Sequence, residues 1–159
     1  AARGSAAWAA GVMIDTAILH HGHMSDVGCT WACGGEPGVA DRALRARWQE
    51  IVDAVLAVCR PGASAAALHR AALTVNGVDR PPPWPVPLYL AHGIGLGGVE
   101  PPFIGTDLGL AAEEATVLTP GMVLVLEPYV WEEGRGGYRA EQTIAITDTG
   151  WEPLSAPPP

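Results

Sequence analysis

Four carboxylates in this chain end or interrupt apolar, strand-like runs. Asp15 closes Val12-Met13-Ile14, and Asp26 follows eleven residues later, beyond a turn signal at Gly22. Glu127 comes directly after Val123-Leu124-Val125-Leu126, and Glu141 stands just ahead of Thr143-Ile144-Ala145-Ile146. Carboxylates rarely stay buried beside strands without a partner. Together with His92, in Ala91-His92-Gly93-Ile94-Gly95-Leu96, they suggest one convergent set. Hard oxygen ligands with a single imidazole suit Mn²⁺, Fe²⁺, Co²⁺ or Zn²⁺. Carboxylates that bridge would hold two such ions about 3.5–4 Å apart. Singly, each acid is an ordinary strand-end or turn residue and the His an ordinary loop donor, so the weight lies in the set. His20, His21 and His23 also look like ligands, but Gly22 between them reads as the turn of a solvated hairpin.

The elements that must position these groups are legible in outline. Val12 to Ile14 and Met24 to Trp31 read as strands around the Gly22 turn. Leu44, Trp48, Ile51, Val52, Val55, Leu56 and Cys59 recur at spacings of three and four, which predicts an amphipathic helix over 41–60 stopped by Pro61-Gly62. Ser64 can cap a second helix through Ala72. Leu88–Leu90, Met122–Leu126, Thr143–Thr147 and an edge strand from Trp151 to Leu154 complete the strands, and residues 155–159 read as a disordered tail. Strands at both ends with helices grouped between them argue for an α+β fold in one domain over 1–154.

Composition narrows the partners. Nine basic against seventeen acidic residues leave a net charge of −8, which argues against nucleic acid and anionic membranes. All nine basic residues are Arg, which excludes lysine Schiff-base and phosphate-loop lysine chemistry. No apolar run is long enough to span a bilayer as a helix. Cys29, Cys33 and Cys59 do not make a disulfide framework, so a reducing, cytoplasmic setting is expected.

In order and spacing, Ile14-Asp15, His23-Met24-Ser25-Asp26, His92-Gly93-Ile94-Gly95-Leu96, Pro120-Gly121-Met122-Val123, Glu127-Pro128 and Arg139-Ala140-Glu141 resemble the pita-bread metallopeptidases. That family includes methionine aminopeptidase, aminopeptidase P, prolidase and creatinase. The resemblance runs from about Val12 to about Leu154. It implies a curved antiparallel sheet presenting the acids inward, with the helices on its outer face. It also implies two divalent metal ions (Mn, Co, Zn or Fe). Asp15 would bind one, Asp26 and Glu141 would bridge both, and His92 and Glu127 would hold the second. Glu127 matches the residue usually assigned as acid/base. Gly136-Gly137-Tyr138-Arg139-Ala140-Glu141 resembles the aminopeptidase P, prolidase and creatinase branch, where Arg139 would orient a bridging carboxylate. The implied function is Xaa-Pro aminopeptidase or Xaa-Pro dipeptidase activity on a peptide or small amide substrate. Homodimers are common in this branch.

Three departures qualify the resemblance. The substrate-contacting His seven residues after the first is replaced by Val99, ahead of Glu100-Pro101-Pro102. Valine cannot donate a hydrogen bond, and losing one such donor costs on the order of 10²–10³ in rate. This opens a second reading: a C–N hydrolase or lyase acting on a small non-peptide metabolite. A third is a non-catalytic binding module, although such members usually lose ligands. The Arg usual after the bridging Asp is replaced by Cys29, read here as a structural thiol. Family catalytic domains are considerably longer, so an N-terminally truncated chain with exposed apolar surface is expected.

Overall fold

The computed structural model describes residues 10–76, 90–105, 109–132 and 136–158. The first acids sit on a twisted ribbon. β1 (Ala10–Thr16) leads into a tight hairpin of β2 (Leu19–His20) and β3 (His23–Met24), and β4 (Val27–Cys33) returns antiparallel along β1. His21 and Gly22 both have positive φ, the mirror-image turn that matches strand twist in two-residue hairpins. The expected continuous strand from Met24 to Trp31 is broken at Ser25-Asp26. Ser25 leaves the ladder because its N–H donates to the Ile18 carbonyl and its hydroxyl accepts the Ile18 N–H. Asp26 is thereby released from strand pairing just ahead of β4.

The helices follow their apolar period. α1 (Val39–Val58) buries Leu44, Trp48, Ile51, Val52 and Val55. It begins two residues before Asp41, because Asp41 acts inside the first turn, its carboxylate accepting the Gly38 N–H at 2.8 Å. α2 (Ala65–Asn76) is capped as expected, with the Ser64 hydroxyl accepting the Ala67 N–H at 3.2 Å. Leu68 and Ala72 of α2 share a core with α1.

The remaining strands are β5 (Ala91–Gly93), β6 (Glu100–Ile104), β7 (Val123–Leu126), β8 (Tyr129–Glu132), β9 (Gly136–Arg139), β10 (Gln142–Ile146) and β11 (Trp151–Pro153); α3 (Gly109–Glu114) follows β6. Among the described residues, five of the strands form an antiparallel sheet in the order β11-β10-β7-β5-β6, and β8 pairs with β9. Residues 88 and 89 of the expected strand at Leu88–Leu90 lie outside the described residues, and Leu90 immediately precedes β5. β6, β8, β9 and α3 were not anticipated. Pro101 and Pro102 lack N–H donors, yet β6 lies at the sheet edge, where proline is tolerated. Ser155, assigned to the tail, is tied to Thr143, whose N–H it accepts at 2.9 Å.

The two faces of the sheet have different fates. Ala91, Leu124, Leu126, Ile144 and Ile146 join the helix core, each buried Leu or Ile among them contributing about 1.5–3 kcal/mol. His92, Val125 and Thr143 alternate to the other face. The ribbon of β1 and β4 carries exposed Val12, Ile14, Val27 and Trp31, an apolar surface of the kind expected from the sequence.

Candidate metal centre

Register explains why distant acids meet. His92 pairs with Val125, two residues from Glu127, and Leu126 pairs with Gln142. One step further along the same register sets Glu141 opposite Glu127. His92, Glu127 and Glu141 therefore share the face turned away from the helices. The ribbon supplies the other two: Asp15 lies opposite Gly28 in the β1–β4 pairing, and the Glu141 N–H donates to the Gly28 carbonyl at 2.9 Å. Gly28 leaves the Glu141 carboxylate its space. A Cβ there would lie 2.6 Å from Glu141 Oε1.

All five expected ligand residues converge. Asp15, Asp26 and Glu141 offer carboxylate oxygens within 4.8 Å of one another. His92 Nε2 lies 3.3 Å from Asp26 Oδ2 and 3.2 Å from Glu127 Oε1. His92 Nδ1 donates to the Gly93 carbonyl at 2.8 Å, which fixes the ring and turns Nε2 toward the acids. Arg139 contacts Asp15 at 2.8 Å and Glu141 at 2.7 Å, and it also pairs with Glu127. The Tyr129 ring lies 5.2 Å from that guanidinium, a contact not anticipated from the sequence. Gly28 was also missed, although a glycine inside a strand signals close approach by another group.

The electrostatics are those of charges held at close quarters. Burial pushes the Glu141 carboxyl up to about 7; Arg139 opposes this, and the charges of Asp26 and Asp15 add to it. Burial also tends to raise Asp26, but hydrogen bonding and charge from His92 outweigh it and leave the carboxyl lowered. The His92 imidazole runs the other way. Burial disfavours its cation, yet the hydrogen bonds to Asp26 and Gly93 and the nearby acids raise it overall.

These residues fit a divalent metal centre. Both Glu141 oxygens are buried without a hydrogen bond, although Arg139 lies at ion-pair distance. A buried carboxylate with so few donors is costly unless further cations satisfy it. The rest of the donor set is oxygen with one nitrogen, the chemistry of hard and borderline cations. The other candidates lie on the hairpin, on β4 and in a loop. His20, His21 and His23 are exposed on their hairpin. Cys29 is buried with its sulfur 3.8 Å from the Tyr138 hydroxyl, and all three cysteines are unpaired. Val99 is exposed in the loop between β5 and β6. Among the described residues, no helix is long and apolar enough to cross a membrane.

Known proteins resemble this chain in sequence and in fold. The chain is 33% identical over 132 residues to the agropine synthesis cyclase of Rhizobium rhizogenes, covering 78% of this chain and 32% of the relative. The prolidase of Pyrococcus furiosus superposes with a TM-score of 0.78 at 27% identity, over 94% of this chain and 42% of that one. The dipeptidase PepE of Mycobacterium ulcerans gives 0.76 at 26% identity, over 93% and 38%. The chain thus spans about a third of the length of the curated relatives it matches. The fold is that of the pita-bread enzymes, to which these prolidase and aminopeptidase structures belong. Residues 9–148 match the model of metallopeptidase family M24, so the ribbon, the helices and the acid-bearing sheet together place this chain in that family.

Proposed function

We propose that the chain carries the centre of a dinuclear metal-dependent peptidase of the Xaa-Pro aminopeptidase or Xaa-Pro dipeptidase type. The observation that carries this reading is the convergence of Asp15, Asp26, His92, Glu127 and Glu141 from five separate places in the fold. Asp26 and Glu141 would bridge, Asp15 would complete one position, and His92 with Glu127 the other. When bound, divalent ions supply Lewis acidity and activate water for attack on a scissile peptide carbonyl. Glu127, which follows β7 and lies beside His92 and Arg139, would accept and return the proton at its carboxylate. Arg139 keeps Asp15 and Glu141 at a set separation through its planar fork. Unpaired cysteines, two of them buried, agree with a reducing cytoplasmic setting.

Two observations favour a second reading, ring opening or closing of a small amide. Val99 cannot donate to a peptide carbonyl, and one relative is named as a cyclase. Metal analysis of the purified chain comes first, followed by turnover of Xaa-Pro dipeptides and tripeptides with Mn²⁺, Co²⁺, Zn²⁺ or Fe²⁺, in parallel with cyclic amides and amidines. Peptide cleavage that needs metal supports the first reading. Turnover confined to small amides selects the second. No bound metal and no turnover overturns both.

A further inference from the structure

The seam between β4 and the strand bearing Arg139 is held in an unusual way. Cys29 and Ala140 make an isolated bridge, and the Glu141 N–H donates to the Gly28 carbonyl. At the next position a side chain takes over from the backbone. The Thr30 hydroxyl donates to the Arg139 carbonyl at 2.8 Å and accepts the Arg139 N–H at 3.0 Å. One hydroxyl thus satisfies both main-chain groups of the residue whose guanidinium sits among Asp15, Glu127 and Glu141.

The connections close into a ring. Thr30 lies opposite Met13 in the β1–β4 register, and Asp15 is the next residue along β1 on that face. The guanidinium returns to Asp15 at 2.8 Å and passes 4.0 Å from the Met13 sulfur. Asp15 and the Arg139 backbone are therefore fixed to the same pair of strands, one by the chain and the other by a hydroxyl. A valine has nearly the shape of threonine but can neither donate nor accept there. Two main-chain groups would then lose this partner, which loosens Arg139 on the seam between its pairing with Tyr129 and the Ala140 bridge.

We propose that Thr30 is a positioning residue for the metal centre. Its hydroxyl sets the height of Arg139 against the ribbon, and Arg139 in turn spaces the Asp15 and Glu141 carboxylates. This rests on the reading of the cluster as a metal site.

The test compares Thr30→Val and Thr30→Ser with the parent chain. Backbone amide exchange is measured on chelator-treated protein, and Mn²⁺ affinity by calorimetric titration. In Thr30→Val, the Arg139 amide should exchange at least about tenfold faster, with the Ile14 amide unchanged and Mn²⁺ bound about 10–100-fold more weakly. Thr30→Ser, which keeps the hydroxyl, should bind Mn²⁺ within about threefold of the parent. Unchanged Arg139 exchange or unchanged affinity in Thr30→Val overturns the proposal, as does a serine variant as weak as the valine one. If Thr30→Val does not fold, Thr30→Ala against Thr30→Ser isolates the hydroxyl and decides by the same two readouts. A parent chain that binds no Mn²⁺ overturns the metal reading, while Arg139 exchange still judges the clamp separately.

Discussion

Glu141 is buried against the Arg139 guanidinium and near two further carboxylates, Asp15 and Asp26. Glu141 is raised to about 7, so the folded protein holds a proton there that the unfolded chain releases near 4.5. The folded state binds more protons between those values, so metal-free stability falls as pH rises through that window. Glu141→Gln removes the ionisation. The chelator-treated variant should melt several degrees above the parent at about pH 8 and show little difference at about pH 4.5. It should also lose Mn²⁺ binding in calorimetry, because an amide cannot bridge two cations as a carboxylate does. Arg139→Lys tests the fork. A point charge cannot contact Asp15 and Glu141 with fixed spacing, so activity on whichever substrate is turned over should fall about 10–100-fold with the fold retained.

At the scale of elements, two glycines let strands approach what they must touch. The space that a side chain at Gly28 would need is taken by the Glu141 carboxylate. Gly28→Ala should therefore displace Glu141 and weaken Mn²⁺ binding at least about tenfold, with the far-UV circular dichroism of α1 and α2 unchanged. Gly93 faces a harder obstacle, since a Cβ would lie 2.3 Å from the Pro101 carbonyl oxygen of β6. Backbone cannot give way as a side-chain tip can. Gly93→Ala should cost about 2 kcal/mol or more, read as a lower denaturant midpoint, and should disturb His92 next to it. α1 and α2 were legible because a buried stripe at period 3.6 is a local property of the chain. β6 and β9 were not. Their Pro and Gly residues weaken strand propensity, and only sheet pairing holds them.

For the molecule as a whole, metal uptake and stability are linked through protons. His92 and Glu141 are both raised, so both tend to hold protons that a cation must displace. The rise in melting temperature produced by saturating Mn²⁺ should be small at about pH 5.5 and grow toward about pH 8. Asp26 is lowered and stays ionised across that range, so it does not offset the trend. A shift that shrank with rising pH would contradict this account of the centre. The ligand types, their order along the chain and the capped helices follow from the sequence alone, because residue chemistry and local periodicity are written position by position. Only the tertiary structure decided that Gly28 would sit beneath Glu141, that Thr30 would clamp Arg139, and that one guanidinium would join Asp15, Glu127 and Glu141. The contacts of Gly28 with Glu141, of Thr30 with Arg139 and of Asp15 with Arg139 join residues more than a hundred positions apart, and no local pattern encodes the register that brings them together.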